Sequence, residues 1–315
     1  MRIGIFGVLA GHWAVSAEHL GHDVVWTYEW HADSRLKKMS KFFKMNHRSI
    51  PLYGYESQVI NKADELPVDM IVGSPPCIGI STGNPNSKAG HGANQGMIAF
   101  ARAVQAYKPK AFIMEMVSNF KTAAKFKPLL KEYEELIGEG YDFIGPVLNL
   151  ENYDSPTKRK RVFFIGFRED LGISPEVPYP SNWMTNPNWK DARTLFEEAG
   201  LDNPTEAEAV AAGRTHKWNP EWKGPFSCLL KDGIDDFRLP DKKPGKTMTA
   251  VGGVYIRHPD GHRAITKEEA KVLIGFDKDY NIPAGFSTVI RACAWGVPIM
   301  SLDNIVSQVV DQLNA

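Results

Sequence analysis

The first 168 residues alternate between two hydrophobic periodicities, and this alternation constrains the fold more than any other feature of the chain. Short apolar runs typical of buried strands occur at 2–8, 23–26, 69–73, 111–115 and 162–167. Amphipathic patterns typical of helices lie between them, at 13–20, 33–43, 95–107 and 126–137. Strands that alternate with helices form parallel sheets with both faces covered. The sequence therefore predicts an α/β protein with a Rossmann-like, doubly wound, mostly parallel sheet.

The pattern changes after about Arg168. Residues 174–244 are rich in Pro, Asn and Trp and have weak periodicity. Within that stretch, a short helix is predicted at 203–213. Beyond it, the sequence predicts a strand at 254–257, a helix at 266–274 and an amphipathic helix at 302–313. We therefore predict a large domain, 1–168 plus 286–315, and a second, smaller domain at 169–285.

Composition excludes several classes of protein. Lys plus Arg and Asp plus Glu each number 37, so a nucleic-acid surface would have to come from local basic runs such as 35–44, 121–127 and 158–161. The three cysteines are far apart and form no Cys-x-x-Cys pair, which argues against a disulfide framework or a structural zinc site. The N-terminus runs directly into strand-like sequence and no apolar run approaches about 18 residues, so we expect a cytoplasmic protein without a membrane partner.

One cysteine stands at the end of a predicted strand, in Gly73-Ser74-Pro75-Pro76-Cys77. Ligands bind at the carboxyl ends of the strands in open α/β sheets. Two prolines fix the backbone just before the thiol. Cys77 is therefore a candidate nucleophile, and the alternative is a buried structural cysteine.

Two acidic residues occupy similar places. Glu29 follows the second strand, about 20 residues after the first glycine turn, where an acidic residue meets a ribose in nucleoside-binding α/β folds. Glu115 ends the strand at 111–115, where a carboxylate is costly unless it is paired or used. The alternatives for Glu115 are a helix cap or a salt bridge.

A basic run, Lys158-Arg159-Lys160-Arg161, precedes the last of these strands. Strand alternation would place Arg159 and Arg161 on one face, where two guanidinium groups could hold one phosphate or carbonyl group. The alternative is a solvated basic turn.

In order along the chain, these segments resemble the DNA cytosine-5 methyltransferases. Gly73-Ser74-Pro75-Pro76-Cys77 resembles the family's Pro-Cys nucleophile motif, with Ser81 at its trailing serine. Glu115-Met116-Val117 resembles the family's Glu-Asn-Val segment, and residues 156–162 resemble its Pro-Gln-x-Arg-x-Arg segment. Residues 263–276 resemble its Arg-x-Leu-Thr-x-x-Glu…Gly-Phe segment. The resemblance covers about 3–167 and 244–310.

The resemblance implies a catalytic set. Cys77 would add as a thiolate to C6 of a cytosine flipped out of duplex DNA, which makes C5 nucleophilic. Glu115 would hydrogen-bond or protonate N3. Arg161, with Arg159, would hold the base carbonyl and help to depress the pKa of the Cys77 thiol.

The resemblance also implies S-adenosylmethionine, or a modified analogue of it, as the cofactor. The cofactor residues would be Phe6 at the adenine edge, Glu29 at the ribose, Trp30 at the adenine ring and Glu56 at its amino group, with Gly11, Pro76 and Trp295. The DNA-binding residues would be Ser81, Lys158 and Thr249. The tryptophan-rich region would be the target-recognition domain, although four tryptophans are as readily its core as base-stacking platforms.

The departures from the family pattern cluster. The first glycine turn, Phe-x-Gly-x-Gly-Gly in the family, is Phe6-Gly7-Val8-Leu9-Ala10-Gly11 here, so its register is shifted or its backbone approaches the cofactor differently. Met116 and Trp295 stand where the family has asparagines. Ile78 and Thr157 replace the family's glutamines after the nucleophile and before the arginine pair. By the resemblance, Ala10, Met116 and Trp295 would surround the donor, whereas the residues that would serve the base are retained.

The sequence leaves four functions open. The first is methylation of cytosine C5 in double-stranded DNA by a monomeric, prokaryotic or phage-encoded restriction-modification enzyme. The second is transfer of another group from a modified donor. The third is DNA binding without catalysis, against which the retained Cys77 and Glu115 argue. The fourth is RNA methylation, but nothing after Cys77 resembles the branch of the family that modifies transfer RNA.

Overall fold

A computed structural model describes residues 1–80, 88, 90–201, 239–248, 256, 258–259 and 265–315. Backbone contacts divide the chain into two compact units. The first comprises 1–149, 160–179 and 302–315, and the second comprises 150–159 and 180–301. The second unit thus takes in 150–159 and 286–301, two stretches that the sequence-based division assigned to the large domain. Leu150 connects these two stretches by hydrogen bonds. Its N–H donates to the Arg159 carbonyl, and its own carbonyl accepts from the Ser301 hydroxyl.

The first unit contains one eight-stranded sheet among the described residues. Its strands are β1 Arg2–Phe6, β2 Asp23–Tyr28, β3 Leu52–Tyr53, β4 Met70–Gly73, β5 Ala111–Val117, β6 Tyr141–Ile144, β7 Val147–Asn149 and β8 Lys160–Arg168. The strand order is β3-β2-β1-β4-β5-β8-β6, with β7 also paired to β8. The neighbouring strands β3, β2, β1, β4 and β5 run parallel to one another, and β8 runs antiparallel to β5, β6 and β7. This confirms the predicted α/β fold with its doubly wound sheet.

Helices connect these strands. The first unit has α1 His12–His19, α2 Ser34–Asn46, α3 Glu56–Ile60, α4 Gln95–Tyr107, α5 Asn119–Thr122 and α6 Lys127–Ile137. The later helices are α7 Ala192–Glu198, α8 Lys267–Ile274, α9 Phe286–Trp295 and α10 Ile299–Asn314. The bounds of α4 are those predicted from the periodicity. Asp33, predicted as the first residue of α2, is instead its N-cap and accepts from the Arg35 N–H.

Strands of the sheet and helices of the first unit pack around an aromatic core. Its members are buried residues of the sheet and of the helices α4 and α6, among them Phe100, Phe112, Tyr133 and Phe164. Phe112 contacts Phe100 edge-on at 6.3 Å and Tyr141 at 5.5 Å between ring centroids. Edge-to-face contacts of this kind add to the stabilisation from apolar burial. The core holds the strands in place and leaves their carboxyl ends to carry polar groups.

The regular elements described in the second unit are the helices α7, α8 and α9 and the start of α10. Thr266 caps α8 by accepting from the Glu269 N–H, and Glu269 accepts in return from the Thr266 N–H, so the two residues form a capping box. The predicted helix at 203–213 lies outside the described residues, as does nearly all of the predicted strand at 254–257.

One stretch, Phe286–Asn314, is long and apolar enough to cross a membrane by length and composition alone. However, 72% of its most apolar window is buried inside the protein. It also consists of two helices, α9 and α10, that are separated at 296–298. These features are typical of helices that contribute to a protein core.

Candidate active site

The direction of winding reverses between two neighbouring strands, β1 and β4. From β1 the chain moves outward through β2 to β3, whereas from β4 it moves the other way to β5. Such a switch point creates a crevice at the carboxyl ends of the strands, where open α/β sheets bind ligands. Phe6 pairs with Gly73 at these ends, and the Ser74 N–H donates to the Phe6 carbonyl at 3.0 Å. The glycine turn after β1 and the Cys77 segment after β4 therefore start side by side.

The glycine turn adopts an alternating backbone. Gly7, Leu9 and Gly11 have φ angles of 81°, 50° and 116°, whereas Val8 and Ala10 do not enter this left-handed region. The conformations that favour glycine thus fall at 7, 9 and 11, whereas the family pattern has its glycines at the positions of 8, 10 and 11. Leu9 accepts the strain of a left-handed residue, which costs roughly 1–2 kcal/mol.

The carboxylate of Glu29 lies at the end of β2 and is held by backbone N–H groups. The Leu9 N–H donates to Oε2 at 2.7 Å and the Trp30 N–H donates to Oε1 at 2.9 Å. Glu29 is fully buried, and this burial raises the pKa of its carboxyl to about 7, although the two N–H donors act in the opposite direction. The strained Leu9 therefore ties the glycine turn to the end of β2.

The other predicted cofactor residues of the first unit lie in different surroundings. The Phe6 ring is fully buried in the core, 4.3 Å from the Tyr28 ring centroid. Trp30 is half-buried, packed against the same core. Glu56 begins α3 and lies 3.6 Å from the Arg102 guanidinium. Glu29 thus contacts the glycine turn that ends at Gly11, whereas Glu56 forms an ion pair with Arg102 of α4.

The segment that carries Cys77 is anchored on both sides. Before it, Ser74 accepts from the Trp13 indole N–H at 2.9 Å. After it, the Ile80 N–H donates to the Cys77 carbonyl at 2.9 Å. Pro76 is buried, whereas Cys77 is half-buried and forms no disulfide among the described residues, so the side chain that would react is the more accessible one. Ser81, the predicted trailing serine, lies outside the described residues.

Glu115 and Arg161 form an ion pair on the neighbouring strands β5 and β8. Arg161 Nε lies 2.7 Å from Glu115 Oε1. The register places Arg161 opposite Val117, so the two side chains are diagonal neighbours on one face of the antiparallel pair. Their side chains are only 6% and 18% exposed, so the pair is largely desolvated. The salt bridge considered for Glu115 from the sequence is therefore present, and its partner is one of the predicted arginines.

Arg159 and Lys158 belong to the second unit, because β8 begins only at Lys160. The predicted alternation from Arg159 to Arg161 therefore does not run within one strand. Arg159 is buried, and its backbone N–H donates to Glu151 at 3.3 Å. Lys158 is exposed, and its backbone N–H donates to the Gly245 carbonyl at 2.7 Å.

Three tryptophans of the second unit are described. Trp295 ends α9, with the Arg291 guanidinium 5.9 Å from its ring centroid. Trp183 and Trp189 lie 5.7 Å apart, and the Trp189 indole donates to the Ser155 carbonyl at 3.1 Å. Thr249 and the remaining tryptophans of this region lie outside the described residues.

Sequence reasoning missed two residues at this site, Trp13 and Leu9. Trp13 looked like an ordinary helix residue, and its contact with Ser74 spans 61 positions. Leu9 carries no chemical group that would single it out. Its only sequence signal was the break in the glycine pattern of the turn.

A family model described as C-5 cytosine-specific DNA methylase matches residues 9–311. The chain belongs to the C-5 cytosine-specific DNA methylase family. This confirms the resemblance drawn from the motifs, and it places the chain among transferases that depend on S-adenosylmethionine and modify DNA.

Known members of this family are similar over most of the chain. Type II methyltransferase M.HhaI of Haemophilus parahaemolyticus is 30% identical over 321 residues, which cover 99% of this chain and 94% of that protein. Type II methyltransferase M.FnuDI of Fusobacterium nucleatum is 29% identical, covering 90% of this chain and 80% of that protein. Among solved structures, the methyltransferase EhMeth of Entamoeba histolytica has a TM-score of 0.69 at 14% identity, covering 99% of this chain and 98% of that one. The structural likeness supports the fold alone.

Proposed function

We propose that this C-5 cytosine-specific DNA methylase transfers a methyl group to C5 of cytosine in double-stranded DNA through a covalent bond from Cys77. The observation that carries the proposal is the placement of Cys77. Its half-buried thiol follows β4 at the switch point of the sheet, and the neighbouring strand β5 carries Glu115, which is paired with Arg161 of β8. A nucleophile beside a desolvated acid–base pair suits attack on an aromatic base.

The chemistry begins with a carbon that needs activation. Addition of the Cys77 thiolate to C6 breaks the C5–C6 double bond and makes C5 nucleophilic. When bound, S-adenosylmethionine supplies an electrophilic methyl group. After transfer, loss of the proton from C5 restores the double bond and releases the Cys77 thiolate. The target base must leave the duplex first, at a cost of a few kcal/mol.

Glu115 and Arg161 would act on the polar edge of the base. Glu115 would hydrogen-bond or protonate N3, so that negative charge does not accumulate on the ring. Arg161 would hold the base carbonyl with its planar donors while it keeps Glu115 oriented. Arg159 would assist in holding the base carbonyl. The 2.7 Å contact between Arg161 and Glu115 supports this division of roles, because it orients the carboxylate before substrate binds.

The residues around the glycine turn fit a nucleoside donor. Glu29 offers a carboxylate that can accept from ribose hydroxyls. Helix α1 begins at Gly11 without a side-chain cap, and a helix N-terminus of this kind suits the carboxylate of an amino-acid group. Since Glu29 is fully buried, ribose can reach its carboxylate only if the turn around Leu9 shifts. Phe6, Trp30, Glu56, Pro76 and Trp295 complete the proposed donor set.

We assign DNA recognition to the second domain, 169–285. Lys158 is exposed and suits a phosphate contact, and Ser81 and Thr249 are proposed to join it. The protein would act as a monomer in the cytoplasm of a prokaryote, because the type II methyltransferases M.FnuDI and M.HhaI, to which it is similar, come from bacteria.

A second candidate function uses a modified S-adenosylmethionine and transfers a larger group. The observation that favours it is the clustering of departures at donor positions: Val8, Ala10, Met116 and Trp295 differ from the family, whereas Cys77, Glu115 and Arg161 do not. Trp295 also carries the Arg291 guanidinium over its ring, which brings a cation to this position.

The decisive experiment is nucleoside mass spectrometry on DNA from cells that express the wild-type chain or its Cys77→Ala variant. We expect 5-methylcytosine in the first sample only. A heavier cytosine adduct that depends on Cys77 would favour the modified donor, and no modified cytosine would refute both candidates. Cys293→Ala is the matched control, because this buried cysteine has a thiol whose pKa burial raises to about 12, and its loss should leave the modification in place.

A further inference from the structure

We propose that Trp13 is a positioning residue for the Cys77 nucleophile and acts through Ser74. This inference rests on the proposed function of Cys77. Trp13 touches none of the reacting atoms in the proposed mechanism, and its effect on the reaction comes from the hydrogen bond that it donates.

The contact joins two segments that are distant in sequence. The indole N–H of Trp13 donates to Ser74 Oγ at 2.9 Å, and both residues are buried. A buried donor that loses its acceptor pays the full cost of desolvation, so the bond favours one arrangement of the two segments. Trp13 thereby fixes where the Cys77 segment leaves the sheet.

Ser74 is restrained by its backbone as well. Its N–H donates to the Phe6 carbonyl at 3.0 Å. Its carbonyl oxygen would lie only 2.3 Å from a Cβ atom at Gly7, so this oxygen occupies the space that any other side chain would need. The indole N–H is the one restraint of the three that comes from a side chain, and it can be removed without changing the backbone.

The link from Ser74 to Cys77 is short and stiff. Pro75 and Pro76 fix two φ angles in succession. Pro76 also packs on Gly96 of α4, where a Cβ atom would lie 2.8 Å from its Cδ. Because few dihedral angles between Ser74 and Cys77 can absorb a displacement, a shift of Ser74 is passed on to the thiol.

Trp13 also connects the nucleophile to the proposed donor site. It is the second residue of α1, which starts directly after the glycine turn at Gly11. A donor bound at this turn therefore restrains the same helix that holds Ser74. We infer that the Trp13–Ser74 bond sets the distance between the transferred group and the base that Cys77 activates.

The chain provides a matched pair of variants. Trp13→Phe removes the bonded N–H. Trp26→Phe removes a buried indole N–H that has no hydrogen-bond partner within the described ranges. Both replace a buried tryptophan by the same smaller ring, so general loss of packing affects both. Ser74→Ala removes the acceptor, and Ser74→Thr retains a hydroxyl.

The test measures covalent capture of duplex DNA that contains 5-fluorocytosine, with S-adenosylmethionine present. The fluorine cannot leave as a proton does, so the Cys77 adduct accumulates. At saturating DNA and donor, we expect capture to slow roughly 3- to 30-fold in Trp13→Phe and in Ser74→Ala, as for the loss of one buried hydrogen bond. Ser74→Thr should recover most of the rate, and the double variant should be no slower than the slower single one.

The remaining outcomes separate this inference from the proposed function. If Trp13 has a positioning role, Trp13→Phe should lower the maximal rate of capture and change the KM for DNA by less than about twofold. If Trp13→Phe and Trp26→Phe slow capture equally, packing explains the effect and the inference is wrong, although Cys77 remains the nucleophile. If wild-type protein forms no more adduct than Cys77→Ala does, the proposed function fails, and the inference fails with it.

Discussion

The guanidinium of Arg161 and the carboxylate of Glu115 lie 2.7 Å apart, joined diagonally across the antiparallel strands β8 and β5. Each charge is removed from most of its water and depends on the other. The pair thus ties the antiparallel side of the sheet to the parallel side, at the position where the proposed base would bind.

Removal of one partner should therefore destabilise the protein strongly. Arg161→Ala leaves the Glu115 carboxylate buried without its counter-charge, and we expect the free energy of unfolding to fall by about 3 kcal/mol. Glu115→Gln/Arg161→Ala should cost less than Arg161→Ala alone, because no buried charge remains. Urea unfolding of the wild type, Glu115→Gln, Arg161→Ala and the double variant measures this cycle.

The control for this cycle is Lys131→Ala. Lys131 and its partner Glu135 are 77% and 68% exposed, so the loss of their ion pair should change stability by less than about 0.5 kcal/mol. Equal losses in Arg161→Ala and Lys131→Ala would contradict the prediction.

Glu29 predicts a dependence of stability on pH. Burial raises the pKa of its carboxyl from 4.5 to about 7 in the folded protein. Between these values the unfolded chain releases a proton that the folded chain keeps, so the free energy of unfolding falls as the pH rises from 4.5 to 7 and is level above that. The Glu29 contribution to this fall is about 3 kcal/mol.

Urea unfolding of wild type and Glu29→Gln between pH 4 and pH 8 isolates that contribution, because all other groups are common to both proteins. The difference in stability between them should vary with pH. A difference that stays constant would show that Glu29 titrates normally in the folded state.

Two buried tyrosines should respond in opposite ways to loss of the hydroxyl. The Tyr133 hydroxyl is fully buried and has no hydrogen-bond partner among residues with described positions, so Tyr133→Phe should be neutral or stabilise by up to about 1 kcal/mol. The Tyr141 hydroxyl donates to the Pro109 carbonyl at 2.7 Å, so Tyr141→Phe should cost about 1 kcal/mol. Thermal unfolding of the two variants compares them directly, and the opposite order would be inconsistent with these contacts.

The capping box of α8 makes a prediction for the second unit. Thr266→Ala removes the acceptor for the Glu269 N–H in a buried position, and we expect a loss of about 1–2 kcal/mol. Hydrogen exchange of the first amides of α8 should accelerate. Thr266→Ser keeps the hydroxyl and should behave like the wild type, and fraying in both variants would point to lost packing rather than a lost cap.

Local patterns were enough to predict most elements of the sheet. The strands β1, β2, β4 and β5 and the helix α4 follow from apolar runs and amphipathic spacing, because burial of each element imposes its own period. The position of Cys77 after β4 follows as well. The two-residue strand β3 and the three-residue strand β7 are too short for a period to emerge. The strand β6 is as long as β4, but Asp142 interrupts its apolar run.

The sequence by itself determined the alternation of strands and helices, and thereby the edge at which Glu29 and Cys77 would gather. Only the tertiary structure decided which distant groups meet there. Trp13 contacts Ser74 and Arg161 contacts Glu115 because strand order and register bring these segments together, and neither is encoded in local periodicity. The separation of Arg159 from β8 has the same origin, since a strand begins where its neighbours offer backbone partners.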